Sequence, residues 1–184
     1  MPIGSDGQGR AGRDLRSFGW VTWLTVGTDA VLGVFAVMFA LLWLRHRLRA
    51  FLAGAGVVVA YAISEVVKLV VREERPCRAA PSIAECPAPG DWSFPSNHSV
   101  IAGASAMAIW ALHRTYGWIA AVCAVAAAAS RVVVGVHYVH DVMAGLALGA
   151  LVSWGIAVLL EKRLPVRQRR EEVEAPTVVL QRLR

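Results

Sequence analysis

Residues Ala50–Pro76 read AFLAGAGVVVAYAISEVVKLVVREERP, and this stretch decides the fold. Between Ala50 and Val71 the only charged residues are Glu65 and Lys68, and a helix needs about 20 mainly apolar residues to cross about 30 Å of hydrocarbon. The run is continuously apolar, whereas a strand of a membrane barrel would alternate, so a transmembrane helix is the remaining way to satisfy its backbone in lipid. Its end changes character. At 100° per residue Lys68, Arg72 and Arg75 fall on one face of the predicted helix, and Pro76 disfavours helix at the residue before it, so a basic face ends at the membrane surface. Such a face can hold an anion; taken singly, each of these side chains would be read as snorkelling to the headgroups.

Working outward, four further stretches are long and apolar enough, or nearly so, to match it: Phe18–Leu44, Asn97–Leu112, Thr115–Val134 and Val142–Leu160. Phe18–Leu44 contains one charge, Asp29, and Thr115–Ala129 none. The expected fold class is all-α, a polytopic integral-membrane bundle of about five transmembrane helices. Expected divisions are a flexible N-terminal segment over residues 1–17, a membrane domain over 18–160 and a basic cytoplasmic tail over 161–184. The 184 residues suffice for about one domain. Their 57% apolar and 17% charged content departs from the 45–50% and roughly 25% of soluble domains in the direction lipid exposure requires. A disordered chain, a disulfide-rich secreted miniprotein and an ordinary cytosolic enzyme are thereby excluded. Phe18–Leu44 is too long for a signal-peptide core and runs into Arg45-His46-Arg47-Leu48-Arg49 without a cleavage site, so it is read as a retained helix.

The net charge of +6 sits in short clusters between apolar runs and not on a soluble basic face, so no nucleic-acid partner is expected. Five spans put the termini on opposite sides. Arg45, Arg47, Arg49, Arg114, Lys162, Arg163, Arg167, Arg169 and Arg170 lie on one side and Arg10, Arg13, Arg16, Arg72 and Arg78 on the other, together with Lys68, Arg75 and Arg131, which are assigned below to a site; the first set marks the cytoplasm. The loop Pro76–Pro95 is then external, where an oxidising medium would let Cys77 and Cys86 pair, closing a small loop at a gain of about 2.5–3 kcal/mol; two free thiols is the alternative. Cys123 reads as a small apolar packing residue.

Ionisable residues in or at the ends of membrane helices are costly enough to suggest function. Beside the Lys68–Arg75 cluster stands Phe94-Pro95-Ser96-Asn97-His98-Ser99, a helix start whose first amides lie unpaired at the positive end of the helix dipole and suit a phosphate. A third cluster, Ser130 to Asp141, carries Arg131, His137, His140 and Asp141. With a helix beginning near His137, Asp141 lies one turn along and can orient its imidazole. An ordinary cap and a polar turn are the competing readings of these two clusters. All three fall at span ends that must share one membrane face, which chance placement would not produce.

Lys68-x6-Arg75-Pro76, Pro95-Ser96-x-His98 and Ser130-Arg131-x5-His137-x3-Asp141 together resemble the three-part signature of the type 2 phosphatidic acid phosphatase family, over about Ala50–Leu160. Asn97 departs from the glycine many members carry. The Arg-, Ala- and Val-rich composition suggests a GC-rich bacterial genome such as an actinobacterial one. The resemblance implies that Lys68, Arg75 and Arg131 hold the phosphate oxygens, with Ser96 and the amides around Asn97 completing the cradle. It implies His137 as nucleophile, held by Asp141, forming a phosphohistidine, and His98 as general acid toward the leaving oxygen. It implies no metal and no other cofactor. His140, the rival nucleophile, is adjacent to Asp141 and does not face it on a helix. Glu65 is expected to pair with Lys68, Asp29 to face the bundle, and Asp91-Trp92 to contribute to the loop over the site or anchor it in the interface.

The expected protein is a plasma-membrane lipid phosphatase with an extracytoplasmic site, its partners the bilayer and a lipid-phosphate substrate. A polyprenyl (undecaprenyl or decaprenyl) diphosphate is the first expectation. Phosphatidate, phosphatidylglycerophosphate and prenyl-phosphosugars follow. A non-catalytic lipid-phosphate binding or transport protein is the reading from another class; it predicts polar residues along a transmembrane route, whereas Asp29, Glu65 and Ser105 are among the few within spans and the chemistry-bearing groups gather at one face.

Overall fold

The computed structural model describes the backbone of residues 8–163 and nearly all side chains from Ala30 onward. The tail expected beyond Arg163 and the side chain of Asp29 lie outside the described residues. Four helices follow in order: α1 (Gln8–Val71), α2 (Asn97–Leu112), α3 (Arg114–Val133) and α4 (Val139–Arg163), with a 3-10 turn at Pro76–Arg78. No strand occurs among the described residues. Arg47–Val71, Arg114–Val133 and Val139–Leu160 are long and apolar enough to cross a membrane, and Ala30–Arg45 is a shorter apolar helical stretch. Their outer faces stay apolar: Val66, Val70, Val122, Leu151 and Trp154 are all more than half exposed. The protein is a multi-pass membrane bundle.

The expected count of about five helical stretches holds, with α1 supplying two of them, and two details differ. The predicted spans Phe18–Leu44 and Ala50–Val71 are parts of one helix, because Arg45-His46-Arg47-Leu48-Arg49 contains neither Gly nor Pro and its Arg and Leu are good helix formers. That helix also starts at Gln8, within the segment expected to be flexible. Both halves of α1 nevertheless pack on the same neighbours. Phe35 and Leu42 join a buried cluster with Ala102, Ala106, Ile109, Ala120 and Ala124, and Ala60 packs with Val100 and Ala104. A straight helix would set Phe35 about 37 Å from Ala60, so α1 bends between its halves.

The second change lies at the end of α1. The helix stops at Val71, the bound expected for the span, so the helical face expected to carry Arg72 and Arg75 beyond it does not form, and the chain leaves through Arg72 at φ 50°. The Arg72 amide donates to Lys68 O (3.0 Å) and its exposed side chain turns back to Leu69 O (2.9 Å). Arg72 therefore leaves the expected basic face, while Arg75 arrives on extended backbone (φ −74°, ψ 146°) and is buried.

Small residues let α2 and α4 approach closely, as membrane helices require in the absence of a hydrophobic drive between them. A Cβ on Gly149 would meet Val100 O at 2.1 Å, and one on Gly145 would meet Ser96 O at 2.8 Å. This contact seats the start of α2 against the first turns of α4. Between α3 and α4, Gly135 takes φ 80° in a tight turn, and Val134 O accepts from Ile83 N (3.0 Å) and Ala84 N (3.2 Å), drawing the Pro76–Pro95 loop over it. Cys77 and Cys86 are bonded across that loop, their Cα atoms 5.7 Å apart.

Candidate active site

The chain-distant clusters meet at one end of the bundle. Arg75 Nη1 lies 2.9 Å from His137 Nε2 and donates to Val136 O at 3.1 Å. Ser96 N donates to Asp141 O (3.2 Å), tying the start of α2 to the first turn of α4. Lys68 Nζ and Arg75 Nη2 both reach Asp91 Oδ1, at 3.2 and 3.0 Å. Lys68, Arg75, Ser96, His137 and Asp141 are all buried.

His137 sits in the turn outside the spanning segments, and its surroundings define its chemistry. Its Nδ1 lies 3.3 Å from Asp141 Oδ2. Asp141 Oδ2 also accepts from Tyr138 N (2.8 Å) and from Ser93 Oγ. An arginine can only donate and a carboxylate can only accept, so these contacts select the neutral tautomer with the proton on Nδ1 and a lone pair on Nε2. Burial lowers the His137 pKa first, and the charges of Arg75 and Arg131 lower it further, against the opposing hydrogen bond and charge of Asp141. The imidazole is thus held neutral with its bare nitrogen among cations. Arg131, in the last turn of α3, is half-buried.

Ser96 is the N-cap of α2, yet its hydroxyl makes no capping bond and has no hydrogen-bond partner although buried. Buried hydroxyls are ordinarily paired, so this one is suited to an oxygen-rich ligand. The first amides of α2 point from the same place without intrahelical acceptors. The Asn97 side chain is engaged elsewhere: its Oδ1 accepts from Ser64 Oγ (2.9 Å) and its Nδ2 donates to Glu65 Oε1. Only the Asn97 backbone is available to a cradle. Glu65 also lies 3.9 Å from Lys68 Nζ. His98 is half-buried in the first turn of α2.

His140, by contrast, is exposed, stacked on Tyr138, and points its Nε2 at Glu73 Oε1 (2.8 Å) and Asp141 Oδ1 (3.2 Å). Among the described residues, Glu73, His140 and Asp141 bring three ligand atoms within 4.8 Å of one another and could take a divalent transition metal; His140 itself bridges the two carboxylates. Ser93 carries no motif in the sequence, and Asp91 is legible there only as part of a loop. No spacing rule links Ser93 to a residue 48 positions away; proximity to Pro95-Ser96 was the one signal.

Residues 49–165 match the family model described as PAP2 superfamily. The chain is 36% identical over 121 residues to the decaprenylphosphoryl-5-phosphoribose phosphatase of Mycobacterium tuberculosis, covering 65% of this chain and 66% of that protein. It is 33% identical over 120 residues to an undecaprenyl-diphosphatase of Sulfolobus acidocaldarius, covering 64% and 58% respectively. The matched stretch thus spans 66% of the first relative's length and 58% of the second's, less than two thirds of either. The crystal structure of the first transmembrane PAP2 type phosphatidylglycerolphosphate phosphatase from Bacillus subtilis matches with a TM-score of 0.64, at 25% identity and with 80% of each chain covered.

Proposed function

The chain belongs to the PAP2 superfamily, and from that premise we propose that it hydrolyses a polyprenyl diphosphate to its monophosphate at the extracytoplasmic face of the plasma membrane. The observation that carries the chemistry is the placement of His137, its Nδ1 3.3 Å from Asp141 Oδ2 and its Nε2 2.9 Å from Arg75 Nη1, which calls for the proton on Nδ1 and the lone pair on Nε2. In this reading Lys68, Arg75 and Arg131 take the equatorial phosphate oxygens, and Ser96 with the first amides of α2 completes the cradle. Phosphoryl transfer asks mainly for position and for positive charge around those oxygens, which three side chains supply without a metal ion.

His137 Nε2 attacks phosphorus. The bond to the leaving oxygen breaks, and that oxygen takes a proton from His98. Water then attacks the phosphohistidine, giving up a proton to His98, and inorganic phosphate and neutral His137 are released. Asp141 remains ionised and stabilises the charge that develops on the imidazole. The arginine bias and the Cys77–Cys86 bond support the external location.

A second reading, hydrolysis of a polyprenyl-phosphosugar phosphate, is favoured by the name of the mycobacterial relative. Phosphate release by the detergent-solubilised protein separates the two. The panel is undecaprenyl diphosphate, farnesyl diphosphate, decaprenylphosphoryl-5-phosphoribose, phosphatidate and phosphatidylglycerophosphate. We expect undecaprenyl diphosphate to have the highest kcat/KM; a lead for the phosphoribose lipid selects the second reading, and no release from any by folded protein leaves a binding or transport protein. EDTA should leave the rate within about twofold, since the charge stabilisation comes from fixed side chains. A loss reversed by added Mg²⁺ or Zn²⁺ would overturn the metal-free mechanism, with Glu73, His140 and Asp141 then the candidate ligands.

A further inference from the structure

Asp91 stands where a phosphate oxygen is expected. Its Oδ1 is held by Lys68 Nζ and Arg75 Nη2 at 3.2 and 3.0 Å, two of the cations assigned above to the phosphate. The partners differ in freedom. The side chains of Lys68 and Arg75 are 6% and 4% exposed, whereas that of Asp91 is 46% exposed. Buried cations without a counter-charge are strongly disfavoured, so they stay and wait for an anion; the carboxylate can turn into water.

The backbone beneath Asp91 is fixed. Asp91 O accepts from Arg75 Nε (2.9 Å), Asp91 N donates to Ala88 O (3.2 Å), and Ser93 N donates to Glu73 O (2.7 Å). The side chain can therefore leave by rotating about χ1, without the loop opening. While it stays, Arg75 is also kept against His137 Nε2, at 2.9 Å. Half-burial opposes charge on Asp91, yet the hydrogen bonds and charges of Arg75 and Lys68 hold its pKa below the ordinary carboxylate value. The charged form is thereby favoured.

We propose that Asp91 is an internal competitor for the phosphate cradle: it neutralises Lys68 and Arg75 between turnovers, and every phosphate ligand must displace it. This rests on the reading of those two cations as phosphate ligands. Apparent affinity is the intrinsic affinity scaled by the fraction of time the cations are uncovered, so a carboxylate that covers them nine-tenths of the time weakens binding about tenfold. The weakening falls equally on substrate and on released inorganic phosphate. It lets product leave a strongly cationic pocket, and it keeps weakly held lipid headgroups from occupying it. Specificity often depends on such a disfavouring element beside the attractive ones. The opposite role is also testable: if Asp91 merely aims Lys68 and Arg75 at the ligand, its removal weakens binding.

The experiment is calorimetric titration of the detergent-solubilised full chain with inorganic orthophosphate, for wild type, Asp91→Asn, Asp91→Ser, Asp91→Glu and Lys68→Met. Asp91→Asn should bind orthophosphate about tenfold more tightly and lower KM for substrate by a similar factor without raising kcat, whereas Asp91→Glu, which keeps the charge, should stay near wild type. Thermal melts give a second readout. Without phosphate Asp91→Asn and Asp91→Ser should melt below wild type, and phosphate should raise their Tm by more than it raises that of wild type. Unchanged or weaker orthophosphate binding in Asp91→Asn and Asp91→Ser, with binding still dependent on Lys68, overturns the competitor role alone. Binding absent from wild type and both neutral variants, or indifferent to Lys68→Met, overturns the phosphate reading of the cradle itself.

Discussion

Two neighbours decide which nitrogen of His137 carries the proton: Arg75, which can only donate, faces Nε2, and Asp141, which can only accept, faces Nδ1. The same surroundings set its titration. Burial and the two nearby guanidinium charges move its pKa below the ordinary 6.5, so the neutral, nucleophilic form persists as pH falls past that value. Activity through this group is full above pH 6.5 and is lost only as pH drops through the lowered pKa. After correction for ionisation of the substrate phosphate, the acidic limb of kcat/KM should therefore lie below pH 6.5, since that profile reports the free enzyme. A limb at or above 6.5 would contradict the geometry. The motif spacing made His137, Asp141, Lys68 and Arg75 legible in the sequence. It did not reveal Ser93 or the placement of Asp91, because a serine and an aspartate in a loop carry no period, and their partners lie across the fold.

Helix α2 runs Asn97–Leu112, the bounds read from the sequence, because Pro95-Ser96 marks its start and an unbroken apolar run defines its length. What holds α2 in place is its contact with α4. Gly149 faces Val100 O so closely that an added Cβ would fall 2.1 Å from it, whereas a Cβ on Gly155 of the same helix would meet nothing within 4 Å. Gly149→Ala should cost about 2 kcal/mol or more by overpacking, lowering the melting temperature and, by shifting Ser96 from Asp141, the rate. Gly155→Ala should leave both near wild type, and equal effects of the two substitutions would refute the close-approach argument. The basic face expected beyond Val71 fails for a local reason. Helical periodicity put Arg72 and Arg75 on the Lys68 face, but Arg72 enters the left-handed region and the chain continues extended.

Across the whole molecule, the polar site occupies one end of a bundle whose flanks are apolar. If the Pro76–Pro95 loop is external, a cysteine at exposed Ala80 should react with a membrane-impermeant maleimide in intact cells. One at exposed Lys162, at the far end of α4, should react only after permeabilisation. With Cys123→Ser as background, the reverse pattern would invert the orientation and put the site in the cytoplasm.

By itself the sequence determined that the chain is a helical membrane bundle, because hydrocarbon admits no other continuously apolar backbone. It also determined that the Lys68–Arg75, Ser96–His98 and Arg131–Asp141 segments belong at one membrane face, because span ends alternate sides. Tertiary structure decided the rest. The bend that lays both halves of α1 on α2 follows from packing of Phe35, Leu42 and Ala60. The His137 tautomer, the side-chain pairing of Asn97 with Ser64 and Glu65, and the carboxylate of Asp91 between Lys68 and Arg75 arise from contacts between residues far apart in the chain. Local spacing says which groups reach the surface together; only three-dimensional packing says which atoms face one another.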